Sequence, residues 1–438
     1  MTKEEAGGDK RLHPQSVEEI VRRAQQASKV IACADTQTKN TVLIRMGTLL
    51  EEHCNDIIEA NKQDLEAARK QGIGQKVLDR LIFNRKKVQS RIDALMRIVS
   101  LPDPIGQILQ LQKAANGLMF GRMRVPLGVI LMIYEARPHV TVNAGALCLK
   151  SGNAVLLRGG SEAKRCNTLL GNLWRESLSE ANLPPEIVQV VACSHEEVDI
   201  LLQMDNYIDL VIPRGGKGLI KAVSHRSRIP VIKHFAGVCH VYLDEGSDIG
   251  RGIQIALDSK CLMPEVCNAM ETLLVCQTLL PELPRIVDAF WECGVIVRGC
   301  EKTQAVVSDV DPATDEDWRT EYLDNICSVR VVENVDEAIE HINRYGSHHT
   351  DTIVTDSESR ARKFIQEVDS AVVITNASTM FCDGKSLGMG TEIGISTDKL
   401  HARGPMGLEE LTSYKFVILG EGHIMGKQQA LERNSNRV

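Results

Sequence analysis

One stretch of the chain joins a reactive side chain to a pattern that could hold it at a cleft edge: Lys260-Cys261-Leu-Met-Pro-Glu-Val-Cys267-Asn268-Ala-Met-Glu271-Thr272. A cysteine placed between a Pro-containing turn and an apolar strand can be presented there. Its thiol has an ordinary pKa near 8.5, so nucleophilic work at neutral pH requires nearby positive charge or backbone N–H groups. On chemistry alone the plainer reading competes, because free cysteines commonly serve as small buried apolar residues. A zinc site from Cys261, Cys267 and Cys276 does not fit, since their spacings match no usual ligand pairing.

Two further segments could bind phosphate. In Asn153-Ala-Val-Leu-Leu-Arg158-Gly159-Gly160-Ser161-Glu162 an apolar strand runs into a glycine pair and a helix opened by Ser161. Helix N–H groups and Arg158 then face one point, with Lys164 close behind. Ile212-Pro213-Arg214-Gly215-Gly216-Lys217-Gly218 repeats the pattern. Neither matches a dinucleotide or P-loop fingerprint, and each could be a plain strand-to-helix turn. Two such turns in one sheet favour a dinucleotide.

A third cluster, Thr391-Glu392 through Lys399, His401, Arg403 and Gly407, is polar, glycine-rich and longer than a simple turn. It suits a functional loop, with a subunit contact as the alternative. The paired His348 and His349 lack further metal ligands, which favours capping or packing.

The elements that must position these residues follow from periodicity. Ser16 and Glu19 form a candidate capping box, and helices follow. Leu43, Met46, Leu50 and Ile57 share one face, as do Val88, Ile92, Leu95 and Val99. Pro102 and Pro104 end the helical region. Residues 105–125 have strand character. From Val125, short apolar strands alternate with helices: 129–133, 154–157, 188–191, 210–212, 231–232 and 241–243. A second such unit spans about 250–400, with strands near 272–275, 328–332, 352–354 and 371–374, and a last strand lies near 415–419. The fold class is α/β, with parallel sheets covered on both faces.

Lys and Arg number 51 against 58 acidic residues, a formal charge of -7, which gives no basis for nucleic acid or an anionic membrane as partner. The 13 cysteines include no C-x-x-C pair and suit reduced thiols in a cytoplasmic protein. The N-terminus is hydrophilic. The longest apolar run, Leu127 to Tyr134, falls far short of the roughly 20 residues a membrane helix needs.

The residues also carry a family resemblance. Tyr134-Glu-Ala-Arg137-Pro138, Lys150-Ser-Gly-Asn153, Ile212-Pro-Arg-Gly215, Val266-Cys267-Asn268-Ala-Met-Glu-Thr-Leu-Leu274, His349-Thr-Asp351 and Gly394 through Pro405 together resemble the gamma-glutamyl phosphate reductases, a branch of the aldehyde dehydrogenase superfamily. The resemblance runs from about residue 16 to 425. It implies Cys267 as nucleophile and NADPH as cofactor. It also implies a small acyl phosphate, L-glutamyl 5-phosphate, as substrate, reduced through a thioester in proline biosynthesis. Arg158, Gly159, Gly160, Ser161, Lys164, Pro213, Arg214, Gly215, Gly216 and Glu392 are then the expected cofactor residues. Arg137, Asn268, Asn376, His401 and Arg403 are the expected substrate residues. No metal is expected.

The expected parts are a disordered 1–15, a helical 16–104 packed on a Rossmann-like cofactor domain at 126–249, and a catalytic domain at 250–400. An oligomerisation segment at 105–125 and a 401–438 tail complete a homo-oligomer, with transient contact to a separate glutamate kinase. Two departures from general aldehyde dehydrogenases stand out. Glu135 lies where an Asn donates to the oxyanion, leaving Arg137 or the Cys267 backbone N–H for that task. The stretch Lys233-His234-Phe-Ala-Gly237 lacks the Glu that activates hydrolytic water. That loss fits a reductase better than an aldehyde-oxidising enzyme, and intact Cys267 disfavours a non-enzymatic scaffold.

Overall fold

The computed structural model describes residues 14–233 and 236–425 of the chain. Five helices come first, at Pro14–Ile31, Thr36–Glu52, Cys54–Lys70, Gln75–Leu81 and Arg85–Ser100. Asp35 caps the second by accepting from Thr38 N at 2.7 Å, and Asn84 caps the fifth by accepting from Lys87 N at 3.0 Å. Leu43, Met46 and Leu50 of the second helix are fully buried; Ile57, expected on the same face, is also buried but belongs to the third helix, past the break at His53. The first helix is described from Pro14 onward, and the side chain of Ser16, expected to cap it, lies outside what the structure describes.

A hairpin follows, β1 (Ile108–Lys113) and β2 (Met119–Pro126). Then come β3 (Val129–Tyr134), β4 (Ala154–Gly159), β5 (Val188–Val190) and β6 (Leu210–Arg214), which form a parallel sheet in the order β5-β4-β3-β6. Alternate residues of β3 enter different cores. Ile130, Met132 and Tyr134 meet the helices Thr36–Glu52, Arg85–Ser100, Pro138–Lys150 and Lys164–Glu180. Val129, Leu131 and Ile133 meet Val17, Val21 and Ala24 of the first helix and the helices that flank β6. Period-two alternation with both faces apolar explains why the run Leu127 to Tyr134 is continuous in sequence.

The second sheet takes β7 (Cys239–Leu243), β8 (Met270–Cys276), β9 (Ile296–Gly299), β10 (Asp311–Pro312), β11 (Ile326–Val332), β12 (Thr350–Val354) and β13 (Val372–Thr375) in the order β10-β9-β11-β8-β7-β12-β13, all parallel. The short pair β14 (Ile395–Ser396) and β15 (Gly404–Pro405) follows, and β16 (Thr412–Leu419) returns to pair antiparallel with β2.

Two sequence expectations need correction. β7, placed in the cofactor domain by the 126–249 boundary, pairs with β8 and β12 of the second sheet. A short apolar strand signals burial in a sheet, not which sheet. Val231-Ile232 makes one bridge to Val211 and no strand; Pro230, which has no N–H to give, precedes it.

Candidate active site

Cys267 sits in the loop between the helix Ile249–Cys261 and β8, half-buried. Its backbone is gripped from several sides. A Cβ on Gly237 would lie 1.7 Å from the Cys267 carbonyl oxygen, so only glycine permits this approach. The Cys239 thiol donates to the same carbonyl at 3.3 Å. Asn268 Nδ2 lies 3.2 Å from Thr379 O and 3.4 Å from Cys382 O, tying the loop to the 378–382 turn. Beneath, Lys260 and Glu271 pair at 2.6 Å with both side chains fully buried. The second Glu271 oxygen accepts from Leu323 N at 3.2 Å. Burial pushes the Glu271 carboxyl up to about 7, with Lys260 pulling the other way.

The thiols around Cys267 are held neutral. Burial pushes Cys239 well up and Cys382 up to about 12. Both are buried, so Cys267 is the accessible sulfur of the three. Cys239 lies 3.7 Å from His349 Nδ1, and burial holds that imidazole down to about 4. His349 is therefore a neutral packing partner in this corner, close to the reading of the histidine pair as packing. His348 Nδ1 donates to the Asp369 carbonyl oxygen at 2.6 Å, which requires the proton on Nδ1.

Arg158, Gly159, Gly160, Ser161 and Lys164 line one cavity of about 380 Å³ with the 190–195 turn. Arg158 donates from Nη2 to Cys193 O at 3.3 Å, and its buried Nε has no partner among the described residues. A Cβ on Gly160 would meet the Glu162 carboxylate at 2.2 Å, and one on Gly159 would meet Asn167 at 2.2 Å. The glycine pair thus leaves room for the Glu162 and Asn167 side chains. Pro213, Arg214, Gly215 and Gly216 end β6 outside that cavity. There Gly216 N donates to Glu135 at 2.8 Å, which shows a helix start that accepts an anionic oxygen.

A second cavity, of about 370 Å³, is one that sequence reasoning missed. Arg91 and Arg97 reach it from the helix Arg85–Ser100, His139 and Asn143 from the helix Pro138–Lys150, and Arg214, Lys385 and Glu392 from three other segments. Burial, with Arg91 and Arg137 nearby, holds His139 down to about 3, so it is neutral. Glu392, expected at the cofactor, lines this cavity and accepts from Gly384 N at 2.8 Å. Arg137 begins the helix Pro138–Lys150, and burial and Arg214 lower its pKa to about 10 while Cys267 acts the other way.

The other expected substrate residues lie elsewhere or are engaged. Asn376 accepts from Thr355 N at 2.9 Å and donates to Thr355 O at 2.8 Å. His401 and Arg403 line a third cavity with Arg122, Arg124 and Tyr414, beside the β1-β2-β16 sheet. There His401 Nε2 donates to Glu410 O at 2.7 Å, and Arg403 pairs with Asp369 at 2.9 Å. His234 lies outside the described residues. A carboxylate does come near: Glu321 accepts from Gly237 N at 2.7 Å and lies 3.6 Å from Lys217 Nζ. No cluster of three or more metal-ligating side chains occurs among the described residues, and no helix there is long and apolar enough to cross a membrane.

A family model described as the aldehyde dehydrogenase family matches residues 1–290. A gamma-glutamyl phosphate reductase of Desulfatibacillum aliphaticivorans is 48% identical over 415 residues, covering 93% of this chain and 99% of its own. That of Clostridium perfringens is 48% identical over 405 residues, covering 92% and 98%. The crystal structure of the Thermotoga maritima gamma-glutamyl phosphate reductase matches with a TM-score of 0.91 at 44% identity, over 93% of this chain and 99% of that one. A glyceraldehyde-3-phosphate dehydrogenase of Methanocaldococcus jannaschii complexed with NADP, 14% identical with a TM-score of 0.64, shares the fold. The chain belongs to the aldehyde dehydrogenase family and, within it, to the gamma-glutamyl phosphate reductases.

Proposed function

We propose that this chain reduces L-glutamyl 5-phosphate to L-glutamate 5-semialdehyde, releasing phosphate, as a cytoplasmic step of proline biosynthesis. The observation that carries this reading is the near-half identity, over almost the whole chain, to relatives of that name. The Cys267 thiolate attacks the acyl carbon. Arg137 and the Cys267 backbone N–H stabilise the oxyanion, a contribution of about 3 kcal/mol per donor. The carbon–oxygen bond to phosphate breaks, phosphate leaves, and a thioester remains on Cys267. When bound, NADPH would supply the hydride that converts the thioester to aldehyde, with the thiolate of Cys267 as leaving group.

Arg158 with its unpartnered Nε, the Gly159-Gly160 pair, Ser161 and Lys164 suit the phosphate-bearing ribose of that cofactor. Pro213 to Gly216 suits its pyrophosphate. The basic cavity suits the amino-acid end of the substrate: Arg91, Arg97 and Lys385 face its carboxylate, and Asp383 and Glu392 its ammonium. Arg137 and Arg214, whose positive charges act on each other, suit the leaving phosphate. We move the substrate roles from His401, Arg403 and Asn376 to these residues, because the former are tied to backbone or to Asp369.

The sheet of β1, β2 and β16 exposes Tyr414, Phe416, Ile418 and Leu419 together with Ile108 and Leu111. We infer a contact with a second copy of the chain there, since a three-stranded ribbon this apolar on its outside is costly in water. Purified protein given glutamyl phosphate and NADPH should yield semialdehyde and phosphate in equal amounts. A chain that oxidises NADPH with neither product would refute the assignment.

A further inference from the structure

A carboxylate outside the proposed mechanism sits behind the catalytic loop. Glu321 lies between the turn Asp317–Arg319 and β11, and its side chain is only 9% exposed. It accepts from Gly237 N at 2.7 Å, and Gly237 is the residue whose missing Cβ lets the Cys267 carbonyl approach. The next two residues are engaged as well. Val238 N donates to Ser347 Oγ at 2.8 Å, and the Cys239 thiol donates to the Cys267 carbonyl at 3.3 Å. Residues 237–239 thus touch Glu321 at one end and the backbone of Cys267 along their length.

The loop that carries Glu321 is itself held. Leu323 N donates to Glu271 at 3.2 Å, four residues beyond Cys267, and Leu323 has φ 51°, a left-handed conformation uncommon for any residue but glycine. Lys217, the first residue of the helix Lys217–Arg226 after β6, lies 3.6 Å from Glu321, so the same carboxylate ties this corner to the first sheet. Lys217 is half exposed, which leaves that ion pair weak. The bond to Gly237 is the firmer hold, because Gly237 is buried and Glu321 nearly so.

We propose that Glu321 is a positioning residue for Cys267: its carboxylate oxygen fixes the Gly237 peptide, and that peptide fixes the Cys267 backbone from which the sulfur reaches the acyl carbon. Without the acceptor, the Gly237 N–H is buried and unpaired, and its peptide must turn toward another partner. It cannot turn freely without displacing the Cys267 carbonyl, against which Gly237 is already packed. The role is one of reach and not of charge, so an amide oxygen at the same place serves nearly as well as a carboxylate. The inference rests on the assignment of Cys267 as nucleophile.

Three full-length variants separate reach from charge. Glu321→Gln keeps the reach and drops the charge, Glu321→Asp keeps the charge and draws it back by one methylene, and Glu321→Ala drops both. With glutamyl phosphate as substrate, Glu321→Ala and Glu321→Asp should lower kcat by about a hundredfold, with the KM for NADPH within about threefold of wild type. Glu321→Gln should keep kcat within about threefold of wild type. The reverse order, an active Asp variant and an inactive Gln variant, would assign Glu321 to charge or proton transfer and overturn the proposal. So would wild-type kcat in Glu321→Ala, or a Gln variant as impaired as the Ala variant. A KM for NADPH that rises with the loss of kcat would show a general loosening of the fold and overturn it too. Cys267→Ser in the same assay isolates the premise. Activity retained there would remove Cys267 as nucleophile; with that variant inactive, the order of the Glu321 variants decides the role of Glu321 alone.

Discussion

A hydroxyl is a far poorer nucleophile at neutral pH than a thiolate, and Cys267 is the proposed nucleophile. Cys267→Ser should therefore lose at least about a thousandfold in turnover while binding NADPH nearly as before. Steady-state rates and cofactor fluorescence check this, and retention of more than about a tenth of the activity would contradict it. In the proposed cofactor site a carboxylate at position 161 would repel a 2′-phosphate, so Ser161→Glu should raise the KM for NADPH far more than that for NADH. Equal use of both cofactors by the wild type would remove the basis for that expectation. At this scale the sequence was legible where residues that act together are also close together in the chain. Arg158 to Lys164 is one turn and lines one cavity. Arg91, His139 and Lys385 were not legible, because they are ordinary polar positions on separate elements, brought together only by tertiary folding. A basic, glycine-rich loop signals something polar to hold, and His401 and Arg403 hold Glu410 and Asp369.

The loop that carries Cys267 depends on its neighbours. A methyl group at position 237 would displace the Cys267 carbonyl, and a shift of about 1 Å at a reacting group costs on the order of a hundredfold. Gly237→Ala should lower kcat by about that factor with little change in cofactor binding. The buried Lys260–Glu271 pair is a second support. Removing one partner strands the other charge, so Glu271→Ala should cost about 3–5 kcal/mol in urea unfolding, whereas Lys260→Met with Glu271→Leu should recover most of it. If Glu271→Ala proved neutral, the pair would not support the loop. Both sheets were foreseeable from short apolar runs between helices. The membership of β7 was not, since its pairing with β8 and β12 depends on contacts that no local pattern encodes.

The whole molecule carries buried imidazoles that make it acid-sensitive. Burial holds His341 down to about 2 and His349 to about 4, against an unfolded value near 6.5. The unfolded chain thus takes up these protons first. The stability contributed by the neutral rings is complete above pH 6.5 and is lost as pH falls toward the folded values, by up to about 3 kcal/mol for His349. Urea midpoints should fall between pH 7.5 and 5, and less steeply in His349→Gln. A flat profile would contradict the burial argument. The β16 ribbon makes its own claim: Phe416→Asp with Ile418→Asp should lower the mass found by light scattering, if a second copy covers that sheet.

The central claim is that acyl transfer runs through a Cys267 thioester that water does not attack. The Glu321 carboxylate near Gly237 accepts from that residue's N–H and pairs with Lys217. The direct measurement is NADPH formation from NADP+ and glutamate semialdehyde in phosphate-free buffer. The account predicts a burst of at most one NADPH per active site, converted to steady turnover by added phosphate. Steady turnover without phosphate, with glutamate as product, would contradict it.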